Sequence, residues 1–103
     1  MILDINVTQE DIKSGIRHDC YDCPVARATR RALEKTIHGL LDITVMTTSR
    51  EIAIYGPGYP SKRIDEAKTP DAAAAFMRAF DSKKPPTLPL IKPFAFELDF
   101  PKL

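Results

Sequence analysis

Two histidines, at 18 and 38, and two cysteines, at 20 and 23, are all this chain holds of the side chains that most often ligate metals or pair as nucleophile and base. No serine, histidine and acid can be assigned to a triad from so few, and each histidine has a bland structural explanation. The single Cys-x-x-Cys pair lacks the second pair that structural zinc sites usually use. Excess charge of one sign is also missing. A formal net charge of +1 excludes a global attraction for nucleic acid or an anionic membrane, so an electrostatic partner has to read a local patch. No apolar run approaches the ~20 residues of a membrane-spanning helix. Gly56 and Gly58 lack the strand-loop-helix setting of a phosphate cradle, carboxylates recur at no recognisable catalytic spacing, and no internal repeat is present.

What remains is an ordinary globular composition, 44% hydrophobic and 28% charged, over 103 residues. A chain of this size can bury roughly 65% of its unfolded surface, and one domain over 1–103 is expected. Met1-Ile2-Leu3-Asp4 begins as a folded strand does and has no signal-peptide pattern. The cytoplasm is therefore the expected compartment, with both cysteines reduced.

The stretch from His18 to Ile37 organises the rest. Pro24 suits a first helical position, and Asp22 adds negative charge where the helix dipole favours it. Val25, Ala28, Ala32, Leu33 and Ile37 recur at helical spacing, while Arg27, Arg30, Arg31 and Lys35 fall on the other side. Gly39 supplies the stop. The pattern predicts a helix of about four turns, apolar on one side and cationic on the other.

Before it, Leu3, Ile5 and Val7 alternate with Asp4 and Asn6 as in a half-buried strand. Thr8 follows as an N-cap, Asp11 as a weak capping-box acid, and Gly15 as the end of a two-turn helix. After it, Leu41, Ile43 and Val45 face Ile52 and Ile54 across Thr47-Thr48-Ser49-Arg50 as a hairpin. Residues 61–68 read as a polar edge strand and 70–82 as a second amphipathic helix. Residues 83–93, with four prolines, read as an extended connection within the domain. Phe94, Phe96, Leu98 and Phe100 form the clearest strand. The fold class that follows is α+β: an antiparallel sheet of four to five strands, terminal strands as candidate partners around a central hairpin, with two main helices on one face.

Four features could carry chemistry. Cys20 and Cys23 at a helix start have the spacing of a redox pair, but not the βαβ setting such a pair needs. His18, Cys20 and Cys23 could supply three zinc ligands, with Asp19 or His38 as a fourth, though His38 lies ~20 Å along the helix. The simpler expectation is that the thiols are small buried side chains anchoring a turn, with no cofactor. Arg27, Arg30, Arg31 and Lys35, with Arg17 and Lys13 nearby in sequence, could meet phosphates or an acidic protein; Glu34 interrupts them and no aromatics interleave for base stacking. Lys83-x-x-Pro86-x-x-Pro89 matches a polyproline ligand pattern, which a spacer explains better.

At Asp19-Cys20-x-x-Cys23-Pro24-Val25-Ala26-x-Ala28-x-x-Arg31-Ala32, and at Arg78-Ala79-Phe80-Asp81 followed by Pro93-Phe94-x-Phe96-Glu97-Leu98, the chain resembles a family of small uncharacterised bacteriophage and prophage proteins. Val7-Thr8-Gln9-Glu10-Asp11-Ile12 is similar to their start, and the longer segment from Lys84 to Lys92 departs from them. The resemblance implies a phage origin and a life in the host cytoplasm. Together with the lack of a catalytic set, it leads to the expectation of a non-enzymatic accessory protein, monomer or homodimer, that binds a macromolecule. A protein is the favoured partner, ahead of nucleic acid through the arginine-rich helix or thiol and zinc chemistry at the cysteines.

Overall fold

The computed structural model describes residues 1–37, 42–58, 60–82 and 90–103. His38, Gly39, Leu41 and the Lys83-to-Pro89 pattern lie outside the described residues. The elements run β1 (Ile2–Val7), α1 (Gln9–Ser14), α2 (Pro24–Thr36), β2 (Thr44–Thr47), β3 (Glu51–Tyr55), β4 (Arg63–Lys68), α3 (Asp71–Ser82) and β5 (Phe94–Asp99). This is the α+β, antiparallel class that alternation and helical spacing predict.

The terminal strands pair: β1 runs antiparallel to β5, with Leu3 opposite Leu98 and Ile5 opposite Phe96. The central hairpin forms as well, Val45 facing Ile54, and the polar stretch adds β4 to its far side with a shift in register near Tyr55. The described strands divide into a two-stranded sheet, β1-β5, and a three-stranded sheet, β2-β3-β4, instead of running as one. The gap between β4 and β5 is tied by a side chain. Asp65, buried in β4, accepts the Glu66 amide at 2.8 Å and the Lys102 amide, just past β5, at 2.7 Å.

Both sheets give their apolar sides to one core, which joins Leu3, Ile5, Val7, Leu98 and Phe100 to Val45, Ile52 and Ile54. Helix α2 adds Val25, Ala28 and Leu33, packing on β1 and β2, and α3 adds Phe76 and Phe80. Phe76 meets Phe94 of β5 with ring centroids 4.8 Å apart, the tilted aromatic contact that seats α3. Thr69, buried ahead of α3, donates its hydroxyl to the Thr48 carbonyl at 2.8 Å and so fixes the helix start against the hairpin end. No described helix is long and apolar enough to cross a membrane.

Candidate functional site

The turn between α1 and α2 is built by local rules and then locked by distant partners. Thr8 and Asp11 make a complete capping box: the Asp11 amide donates to Thr8 Oγ1 at 3.2 Å, and the Thr8 amide donates to Asp11 Oδ2 at 2.9 Å. Asp19 Oδ1 then accepts the amides of Tyr21 and Asp22, at 2.9 and 3.1 Å, winding the chain back. The Ile16 amide closes the loop onto the Asp22 carbonyl at 2.9 Å. Pro24 opens α2, as its position after the turn predicts, and the residue capping the helix is Cys23.

Cys23 is buried, and its Sγ accepts the Ala26 amide at 3.4 Å while lying 3.1 Å from Thr47 Oγ1. Thr47 Oγ1 also donates to the Cys20 carbonyl at 3.1 Å. A hydroxyl has one hydrogen, so with that hydrogen on Cys20 the thiol is the donor toward Thr47. Burial pushes the Cys23 thiol above its ordinary pKa, which keeps that hydrogen in place. Cys23 is thus a protonated thiol that caps the start of α2. Cys23→Ser, which keeps a capping oxygen and a donor, is expected to unfold in urea near the wild-type midpoint. Cys23→Ala is expected to lose about 1 kcal/mol with the cap.

His18, Cys20 and Cys23 border one cleft of about 230 Å³, floored by Phe76, Met77 and Phe80. Asp81 of α3 closes its rim, accepting the His18 amide at 3.0 Å, with His18 Nδ1 3.9 Å from its other oxygen. That contact holds His18 at φ 61°, left-handed backbone that is uncommon outside glycine. Asp81 is one of the residues that sequence reasoning missed, because 63 positions separate it from His18. Although the three candidate ligands share a cleft, no three His, Cys, Asp or Glu side chains among the described residues converge closely enough to hold a metal ion.

The four cations of α2 are not equivalent. Arg31 grips buried Asp11 through both nitrogens, at 2.7 Å each, and reaches the Asn6 carbonyl at 2.9 Å. Arg27 and Arg30 share Asp22 Oδ1, at 3.2 and 3.6 Å, and Arg30 also approaches the Tyr21 carbonyl at 3.5 Å. Of the four, Lys35 alone is exposed, the three arginines being half-buried. The expected cationic stripe is therefore largely half-buried and tied to carboxylates that the helix period could not reveal. Two guanidiniums on one carboxylate leave an excess of positive charge beside Tyr21, and Arg27 Nε is buried without a hydrogen-bond partner among the described residues.

On the outward side of the turn, Ile16 and Tyr21 are about half exposed. Tyr21 shares a shallow concavity with Thr44, Tyr55 and Ser61, and Arg63 stacks over the Tyr55 ring at 5.4 Å while donating to its hydroxyl at 2.8 Å. No protein-family profile, no curated protein and no solved structure matches the chain.

Proposed function

We propose that this is a non-enzymatic accessory protein of a phage or prophage that binds a protein partner in the host cytoplasm. The observation that supports the binding part is that exposed Tyr21 of the turn and Tyr55 of β3 line one shallow concavity, with Arg30 beside Tyr21 and Arg63 over the Tyr55 ring. Tyrosine and arginine are the residues that most often carry binding energy at protein interfaces, through broad apolar faces and planar donors. The unbalanced positive charge of Arg27 and Arg30 favours an acidic partner surface. Arg31, committed to Asp11, belongs to the scaffold and not to the interface.

The test is affinity capture from bacterial host lysate with wild type, Tyr21→Ala and Arg30→Glu in parallel, alongside binding to mixed DNA and RNA at low salt. A protein captured by wild type and held about tenfold less well by both variants supports the proposal. Capture that ignores both substitutions contradicts it. So does nucleic-acid binding that disappears in Arg30→Glu.

A further inference from the structure

The shallow concavity between Tyr21 and Tyr55 has a chemistry of its own. About 500 Å³ in volume, it is lined by Tyr21, Thr44, Tyr55 and Ser61, every one of which carries a hydroxyl. Tyr55 Oη accepts two hydrogen bonds from one guanidinium, from Arg63 Nε at 3.2 Å and Arg63 Nη2 at 2.8 Å. Its acceptor capacity is taken up in this way, and its own hydrogen is left to donate. Among the described residues, none of the four hydroxyls has an acceptor, and no carboxylate lines the concavity. Uncommitted donors on one surface select an acceptor-rich group, most strongly an ionised one.

Charge decides which acceptor fits. Arg63 is balanced by Glu51 at 3.0 Å, whereas Arg27 and Arg30 share the single carboxylate of Asp22, which leaves one positive charge in excess beside Tyr21. One uncompensated charge matches a carboxylate, which carries one negative charge, and not a phosphorylated side chain, which carries about two near neutrality. We infer, resting on the reading of this surface as an interface, that the concavity seats a glutamate or aspartate side chain of the protein partner. The carboxylate accepts from the Tyr55 hydroxyl and from Thr44 and Ser61, and the chain on either side of it covers the Tyr21 ring.

The experiment titrates the full chain with a short blocked peptide that holds glutamate between two leucines, and with its glutamine and phosphoserine counterparts, following the NMR signals of Thr44, Tyr55 and Ser61. The expected result is that the glutamate peptide binds about fivefold more tightly than the glutamine peptide, and that phosphoserine binds no better than glutamate. High salt removes that preference. Tyr55→Phe, which keeps the ring beneath Arg63, and Ser61→Ala, in the link before β4, each reduce it, whereas Tyr21→Ala weakens the glutamate and glutamine peptides alike. Equal binding of those two peptides, tighter binding of phosphoserine, or a preference unchanged in Tyr55→Phe would overturn the inference. A host protein captured through Tyr21 but held equally well by Tyr55→Phe would overturn it too, while the reading of Tyr21 as an interface residue would stand.

Discussion

Arg31→Met is expected to lower the unfolding free energy by about 3 kcal/mol, because it leaves a buried carboxylate without its charge partner. Asp11 is 1% exposed, and its two oxygens take both Arg31 nitrogens and the Thr8 amide. Removing one member of a buried pair commonly costs about 3–5 kcal/mol, and the lower end applies here because the Arg31 side chain is 41% exposed and its charge is partly screened by water. The pH dependence follows from the same contacts. Burial alone would raise the Asp11 pKa, but the Arg31 and Thr8 hydrogen bonds and the Arg31 charge outweigh it and hold the carboxyl below its ordinary 3.8. A depressed folded-state pKa means that the contribution is complete above 3.8 and is lost as pH falls through the folded value. The gap between wild type and Arg31→Met in urea unfolding should therefore be widest near neutrality and narrow in acid. A variant within 0.5 kcal/mol of wild type at neutral pH, roughly the scatter of ordinary surface substitutions, would contradict the assignment.

Gly15→Ala is the second large effect, expected at about 2 kcal/mol from overpacking. The backbone there, φ −67°, suits any residue, so conformational freedom is not the reason for glycine. An added Cβ would stand 2.6 Å from Pro24 Cδ and 2.7 Å from both Pro24 Cγ and the Asp11 carbonyl oxygen. None of these can rotate away: the proline ring is fixed at the start of α2, and the carbonyl already accepts the Gly15 amide at 2.8 Å. Relief requires α1 to lift from α2, which also stretches the Asp11–Arg31 pair, so Gly15→Ala and Arg31→Met should combine less than additively. Gly58 is the internal comparison. Its φ is +99° with open space around it, so Gly58→Ala should lose only about 1 kcal/mol, from backbone strain alone. Equal losses at the two glycines, read from urea midpoints, would mean that the Pro24 contact does not hold the helices together.

The two effects mark how far the chain could be read. Val25, Ala28 and Leu33 on one side of α2, and Leu3, Ile5 and Val7 along β1, announce themselves because burial follows the period of each element. The Thr8 cap and Pro24 are equally local, a few residues reaching one another along the chain. What the helix period could not show is what lies across from it. Arg31 looks like a solvated cation until Asp11, 20 residues away, is brought beneath it. The spacing of the cysteine pair likewise does not show that Thr47 of β2 lies against the Cys23 thiol or that Asp81 of α3 accepts the His18 amide. The split into two sheets is of the same kind, since alternation specifies which face of a strand is apolar but not which edge it offers to a neighbour. For the candidate site, the structure places His18, Cys20 and Cys23 around one cleft, and sequence reasoning assigned no role there to Asp81, Thr47, Tyr21 or Tyr55. Tyr21 lay inside the motif and carried no periodic signal.

One turn thus has a locked interior and an exterior left available for contact. Placing a photo-crosslinking residue, benzoylphenylalanine, at position 21 in living cells and a second, as control, at exposed Glu97 of β5 tests this most directly. The account predicts one discrete protein adduct from position 21 and none from position 97. Adducts from both positions alike, or from 97 alone, would contradict it.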